Sequence, residues 1–217
     1  PASPVAASPA APAAGRPGEA VRLFLALDLD PAARAKTAEV QRRLRGAVAF
    51  REIRVRWVRP ENLHLTLAFL GEVDADGEEG VARAAAEPWS QPPFRIELSS
   101  PAAAPRTGAP RTLWLPVSAG RPELARLHAD ARARLGPLLA APIDPRPPGH
   151  VTLGRLRQAP RSSRENIRDG LARLAVPAFG WRADAVVLYE SRLAPGGVSY
   201  RVLARAPLSC VILDGDP

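Results

Sequence analysis

The sequence predicts an α+β protein made of a duplicated unit. Two lobes related by a pseudo-twofold each contribute an antiparallel sheet lining a central cleft, with helices on the outside. Three observations predict this. Strand-like and helix-like periodicities follow one another as strand, helix, strand, helix, strand, and the same order then recurs. The segment HLTL at 64–67 returns as HVTL at 150–153, with the two histidines 86 positions apart. A Pro/Gly-rich loop, PAAAPRTGAP at 101–110, separates the two series. A unit of about 85–90 residues in two copies is too long, and repeated too few times, for a solenoid.

Each element has its own signal. VRLFLALDL (21–29) is a strand-like apolar run, and DPAARAKTAEVQRRLRGAV (30–48) is a helix capped by Asp30 with Pro31 at its first position. IRVRWV (53–58) and LHLTLAFLG (63–71) are short strands joined by the turn signal RPEN. A short helix at about 77–87 precedes the strand FRIELSS (94–100). The second series runs from the strand RTLWLPV (111–117) through the helix RPELARLHADARARLGPLL (121–139) to the strand GHVTLGRL (149–156). A helix at 162–175 opens with a serine cap, and strands at 181–193 and 198–208 close the chain as a hairpin across APGG. The expected organisation is a disordered Pro/Ala-rich extension (1–20), one domain at 21–208 with lobes from about 21–100 and 111–208, and a tail at 209–217.

Composition bounds the function classes. The 217 residues are 46% hydrophobic, enough for one globular domain or two small lobes sharing a core. Cys210 is the sole cysteine, which excludes an internal disulfide framework and a Cys-rich zinc site and fits a reducing cytoplasm. No run of 18 apolar residues is present, so no membrane span is expected. The N-terminus lacks the basic start and Leu-rich centre of a signal peptide, and the absence of Met places the natural start upstream. The net charge of +8 comes from 30 basic residues, of which Lys36 is the only lysine. GC-rich coding accounts for the Arg/Lys ratio, but the charge itself draws an anionic partner.

The chemistry lies in the repeated H-x-T. Residues i and i+2 of a strand share a face, so His64 and Thr66 point one way while Leu63, Leu65 and Leu67 point the other. His150 and Thr152 likewise share a face opposite Val151 and Leu153. One H-x-T is usually cross-strand packing; two of only three histidines in H-x-T-L is a pattern. Two histidines are too few for a zinc site, and neither has a carboxylate at i+4. No G-x-S-x-G, Walker loop or G-x-G-x-x-G occurs. Metal-free cleavage of a phosphodiester fits better. One histidine takes the proton from the attacking oxygen, the other gives one to the leaving oxygen, and the threonine hydroxyls hold the non-bridging oxygens.

RWVRPENLHLTLAFLGEV (56–73), with HVTLGR (150–155) and VVLYES (186–191), closely resembles the RNA 2′,3′-cyclic phosphodiesterases. These were once called 2′-5′ RNA ligases and belong to the two-histidine phosphoesterase superfamily. The resemblance covers about 21–208, including RLFLALDL (22–29) and PRTLWLPV (110–117). It implies a bilobal fold with the motifs facing across a cleft, and it makes His64 the proton donor and His150 the acceptor. It assigns Thr66, Thr152 and Arg155 to the substrate phosphate. Strand parity sets residue 155 opposite His150, so that role requires a bulge or strand end at Gly154. The reaction implied is hydrolysis of a 2′,3′-cyclic phosphate on RNA, tRNA fragments among the substrates, to a 2′-phosphate. No metal or cofactor is implied, a monomer is expected, and the reverse reaction would form a 2′-5′ linkage. Two alternatives remain: the same chemistry on a small cyclic nucleotide or ADP-ribose cyclic phosphate, or an idle module that binds RNA ends. The two motifs are near-symmetric, so residue chemistry does not say which histidine is which.

Other candidates carry less. His128 lacks a threonine partner and reads as a surface or boundary helix residue. Trp57 and Trp114 could stack on bases but read as core, and Tyr189 could approach the cleft. Arg51, Arg54, Arg56 and Arg59 read as a solvated strand edge rather than an RNA track.

Overall fold

Apolar residues at alternate positions bury one face of the two strands that carry the H-x-T motifs, and helices pack on that face to close the core. In the computed structural model, residues 20–47, 53–105, 109–157, 163–194 and 197–209 are described. The expected extension up to residue 19, Arg51, the serine cap at 162, the hairpin turn at 195–196 and the tail with Cys210 lie outside the described residues.

Strand β1 (Val21–Asp28) leads into helix α1 (Pro31–Gly46), where the Asp30 carboxylate accepts a hydrogen bond from the Ala33 N–H at 2.7 Å and Pro31 opens the first turn. Strand β2 (Arg54–Trp57), a 3₁₀ turn (Pro60–Asn62) and strand β3 (His64–Val73) follow. Helix α2 (Ala75–Ala86) is capped by Asp74, which accepts from the Gly77 N–H at 2.8 Å. Then come β4 (Trp89–Ser90), β5 (Phe94–Leu98), β6 (Ala102–Ala104), β7 (Thr112–Ala119), helix α3 (Arg121–Leu135) and β8 (His150–Arg157). Helix α4 (Ser163–Ala172) and strands β9 (Phe179–Ala183), β10 (Ala185–Ala194) and β11 (Gly197–Ser209) complete the order. Among the described residues no helix is long and apolar enough to cross a membrane.

The α+β class holds, and three details differ from the sequence expectation. The loop between the series contains β6, which pairs with β7. The strand expected over 181–193 is two strands in different parts of the sheet, broken at Asp184, whose carbonyl accepts from the Leu208 N–H at 2.7 Å. Helix α3 ends at Leu135, because Gly136 and Pro137 turn the chain into a 3₁₀ segment.

The strand order is β4-β11-β10-β1-β3-β8-β7-β5-β9, antiparallel except where β4 joins β11. The pseudo-twofold passes between β3 and β8, which meet through the single pair Leu65–Val151. On one side β10 and β11 extend β1; on the other β5 and β9 extend β7. Each half of the sheet therefore draws strands from both of the expected stretches, about 21–100 and 111–208, and coincides with neither. Leu23, Leu25, Leu27, Leu65, Leu67, Leu113, Leu115, Val151 and Leu153 are fully buried in one core. Each such side chain contributes about 1.5–3 kcal/mol through burial.

Candidate active site at the seam of the sheet

Both H-x-T motifs flank the Leu65–Val151 pair. Antiparallel neighbours run in opposite order, which sets His64 toward Thr152 and Thr66 toward His150. His64, Thr66, Thr152 and Arg155 line one cavity of about 260 Å³, with Arg22, Phe24, Val58, Asn62, Phe69 and Tyr200 among its other walls. His150 is half-buried just outside that lining, its ring 4.3 Å from that of Trp114.

The bulge that Arg155 requires is present. Along β7 and β8 the pairs run Leu113–Gly154 and then Trp114–Thr152, so Leu153 is the extra residue. Leu153 and Gly154 are both buried, and the parity change returns Arg155 to the face of His150 and Thr152. Gly154 is also needed for close approach. A Cβ there would lie 2.9 Å from Val55 Cγ1 and 3.2 Å from the Arg56 carbonyl oxygen, against the partner strand β2. The first motif has the same bulge: Leu25–Ala68 is followed by Ala26–Thr66, with Leu67 extra. Phe69, 67% exposed, thus takes the position in β3 that Arg155 takes in β8.

Side chains from α1 hold both motifs. Gln41, 2% exposed, donates to the Leu153 carbonyl at 2.8 Å and the Val58 carbonyl at 2.9 Å, pinning the β8 bulge. Arg34 donates to the carbonyls of Pro60 (2.9 Å), Glu61 (3.1 Å) and Leu63 (3.1 Å), fixing the turn that delivers His64. The His64 Nδ1–H donates to the Asn62 carbonyl at 2.8 Å, a tautomer assigned from that acceptor. Its Nε2 then faces Thr66 Oγ1 at 3.1 Å, and in the neutral ring it accepts from that hydroxyl.

The electrostatics of the two histidines differ. Burial pushes His64 below its usual pKa, while the Asn62 carbonyl and Asp28 pull it back up and Arg34 adds to the lowering. Burial also lowers His150, and the Arg155 and His64 charges lower it further with nothing opposing. Asp28 itself accepts from the Tyr189 hydroxyl at 2.7 Å and pairs with Arg205. Tyr189 thereby sits 6.4 Å from the His64 ring and stacks 5.3 Å from Phe24. Burial raises the Tyr200 hydroxyl, against the pull of Arg155 and Arg56.

Three secondary candidates change character. His128 is not a surface residue: at 3% exposure it lies in the apolar stripe of α3 with Leu124, Leu127, Ala131 and Leu135, and hydrogen-bonds the Asp144 backbone. Trp114 supports His150 rather than the deep core. Trp57 is half-buried beneath Arg45, whose guanidinium lies 5.2 Å from the ring centroid. The aromatic wall of Phe24, Phe69 and Tyr200 was not expected from sequence. Its only signal was an aromatic at the fifth position after the first histidine, where the second motif has arginine. Among the described residues no group of three or more His, Cys, Asp or Glu could hold a metal ion.

A duplicated α+β sheet that presents two H-x-T motifs at one seam defines a two-histidine phosphoesterase. The chain belongs to the family described as LigT like phosphoesterase, whose sequence model matches it twice, over residues 27–114 and 115–200, with one motif in each match. It is similar to the RNA 2′,3′-cyclic phosphodiesterase of Archaeoglobus fulgidus, 33% identical, covering 84% of this chain and 98% of that protein. The Escherichia coli RNA 2′,3′-cyclic phosphodiesterase is 31% identical, covering 88% of this chain and 98% of the relative. Among solved structures, Escherichia coli LigT complexed with 3′-AMP matches with a TM-score of 0.64 at 27% identity, covering 88% of this chain and 99% of that one.

Proposed function

We propose that this chain hydrolyses 2′,3′-cyclic phosphodiester ends of RNA to 2′-phosphomonoesters by paired histidine acid–base catalysis. The observation that carries the reading is the convergence of His64, Thr66, Thr152 and Arg155 from both motifs on one cavity, the first three through the β3–β8 pairing and Arg155 through the β8 bulge. The names of the Archaeoglobus and Escherichia relatives support the substrate. The aromatic wall of Phe24, Phe69 and Tyr200 suits a nucleobase.

In the proposed reaction water attacks phosphorus in line with the leaving 3′-oxygen. His150 takes the proton from water as the P–O bond forms, and His64 Nε2 gives a proton to the 3′-oxygen as its bond to phosphorus breaks. The assignment is supported by the charge environment: Asp28 and the Asn62 carbonyl favour the cationic His64, while Arg155 favours the neutral His150. Thr66, Thr152 and Arg155 bind the non-bridging oxygens as charge builds on them. With a 5′-hydroxyl in place of water, the same groups in the same roles would join RNA ends through a 2′-5′ linkage. The reading takes the protein as a cytoplasmic monomer and routes no step through a metal.

The test is turnover of an oligonucleotide ending in a 2′,3′-cyclic phosphate, with and without EDTA. Conversion to the 2′-phosphate that persists in EDTA is expected. No product from the wild type would sink the enzymatic reading, and loss of activity in EDTA would sink the metal-free mechanism.

A further inference from the structure

We infer that the exposed face of β2 and β8 carries an arginine ladder that binds the sugar–phosphate backbone of an RNA strand on the 5′ side of its cyclic end. This rests on the proposed function and makes the substrate a polynucleotide rather than a mononucleotide. The register pairs Arg56 with Arg155 and Arg54 with Arg157 directly across the two strands. All four are exposed on one face, while Val55, Trp57, Gly154 and Leu156 turn to the other. Like charges placed directly opposite destabilise a sheet, and here two such rungs are stacked. No carboxylate among the described residues pairs with any of the four.

The arrangement is not the general habit of this Arg-rich chain. On the other strands Arg22 meets Glu72, Arg95 meets Glu97, Arg192 and Arg201 meet Glu190, and Arg205 meets Asp28. Among the described residues one other like pair faces across strands, Arg95–Arg182 on β5 and β9, and there Glu97 takes Arg95; only the ladder stacks two such rungs, and it begins at the candidate cavity. Arg155 lines that cavity together with His64, Thr66 and Thr152. It also lines the adjoining groove of about 340 Å³ with Arg56, Trp57, Asn62 and Tyr200. Rungs on one face of a strand repeat about every 6.6 Å, a spacing that suits successive phosphates of an extended strand. Anionic groups laid along the ladder would relieve both like-charge pairs at once. The sequence alone favoured a solvated edge, because it did not reveal that β8 would set two further arginines against Arg54 and Arg56.

The experiment compares kcat/KM for a 2′,3′-cyclic mononucleotide and for an octanucleotide with the same cyclic end, in the wild type and in Arg54→Gln/Arg157→Gln. Both positions are exposed, and a melting curve checks folding. The mononucleotide, too short to reach the outer rung, sets each protein's baseline. The expected result is a wild-type preference for the octanucleotide that collapses in the double variant and returns in Arg54→Lys/Arg157→Lys. Each single-strand phosphate contact contributes about 0.7 to the log–log salt slope, so losing two makes affinity about sevenfold less sensitive to a rise from 50 to 200 mM salt. An oligonucleotide preference and salt slope equal in wild type and Gln variant would overturn the ladder while leaving the hydrolysis reading intact. Failure of the wild type on both substrates would instead overturn the function on which it rests. Competition by poly-glutamate as strong as by RNA of equal charge would overturn the assignment to RNA.

Discussion

Gln41 couples the core to the candidate active cavity, and replacing it with leucine tests that coupling. Leucine is close in size, so the cavity contribution is small and the change isolates two hydrogen bonds. The Leu153 carbonyl would keep the Val58 N–H at 3.0 Å but lose its 2.8 Å donor, and the Val58 carbonyl would lose its donor at 2.9 Å. One lost bond at about 1 kcal/mol and one carbonyl left without its donor at about 1–3 kcal/mol give about 2–4 kcal/mol. For a domain of this size that corresponds to a fall in Tm of about 5–15 °C. The bulge at Leu153 is what turns Arg155 toward the cavity, so loosening it should also cost roughly 10–100-fold in kcat/KM, measured far below the melting range. Gln41→Glu should be worse than Gln41→Leu at neutral pH, because it aims a carboxylate at two carbonyl oxygens. The reasoning fails if the leucine variant melts within about 2 °C of the wild type, or if the glutamate variant is the more stable of the two.

Other perturbations test separate parts of the site. His64→Ala and His150→Ala should each lower the rate by about 10²–10⁴, and near-normal turnover in either would remove that residue from proton transfer. Gly154→Ala drives a methyl into Val55 and the Arg56 carbonyl; a cost of about 1–3 kcal/mol in denaturant melts is expected. In the pH profile of kcat/KM, Asp28→Asn removes a group that raises His64 and should move the alkaline limb to lower pH. Arg155→Gln removes a group that lowers His150 and should move the acid limb to higher pH; movement of the acid limb by Asp28→Asn and of the alkaline limb by Arg155→Gln would reverse the donor and acceptor roles. Burial lowers His128 from its ordinary value of 6.5, so the unfolded chain binds more protons and stability should fall as pH drops below that value. His64 and His150 act in the same direction, so His128→Gln should flatten that slope only in part, as read by melts from pH 7.5 down to about 5.

The local rules of the chain carried the site a long way. Period two was enough to put His64 with Thr66 and His150 with Thr152, and Asp30 with Pro31 was enough to start α1. Gly154 marked where a bulge would have to fall for Arg155 to join them. What stayed hidden was non-local. Nothing near Asp184 announces that β9 will pair with β5 and β10 with β1, because strand pairing is decided by the partner and not by the strand. Phe24 is one apolar residue in an apolar run, and its place against the His64 ring, 4.9 Å away, follows only from the β1–β3 register. His128 was legible after all. It lies four residues after Leu124 on the helix stripe, and its polar character masked a core position.

The single rung between β3 and β8 has a consequence for how such a site can change. Strand pairing is discrete: a slip of one residue exchanges the faces, and a slip of two moves one strand by about 6.6 Å relative to the other. The gap between the two imidazoles therefore has no continuous adjustment along the strand direction. Reshaping it for a larger or smaller ester would have to act through what is bolted onto the frame, such as Trp114 behind His150 or the turn that Arg34 holds before His64. The frame itself behaves like a ratchet with one tooth engaged, and any neighbouring tooth would leave the two motifs reading different phosphates.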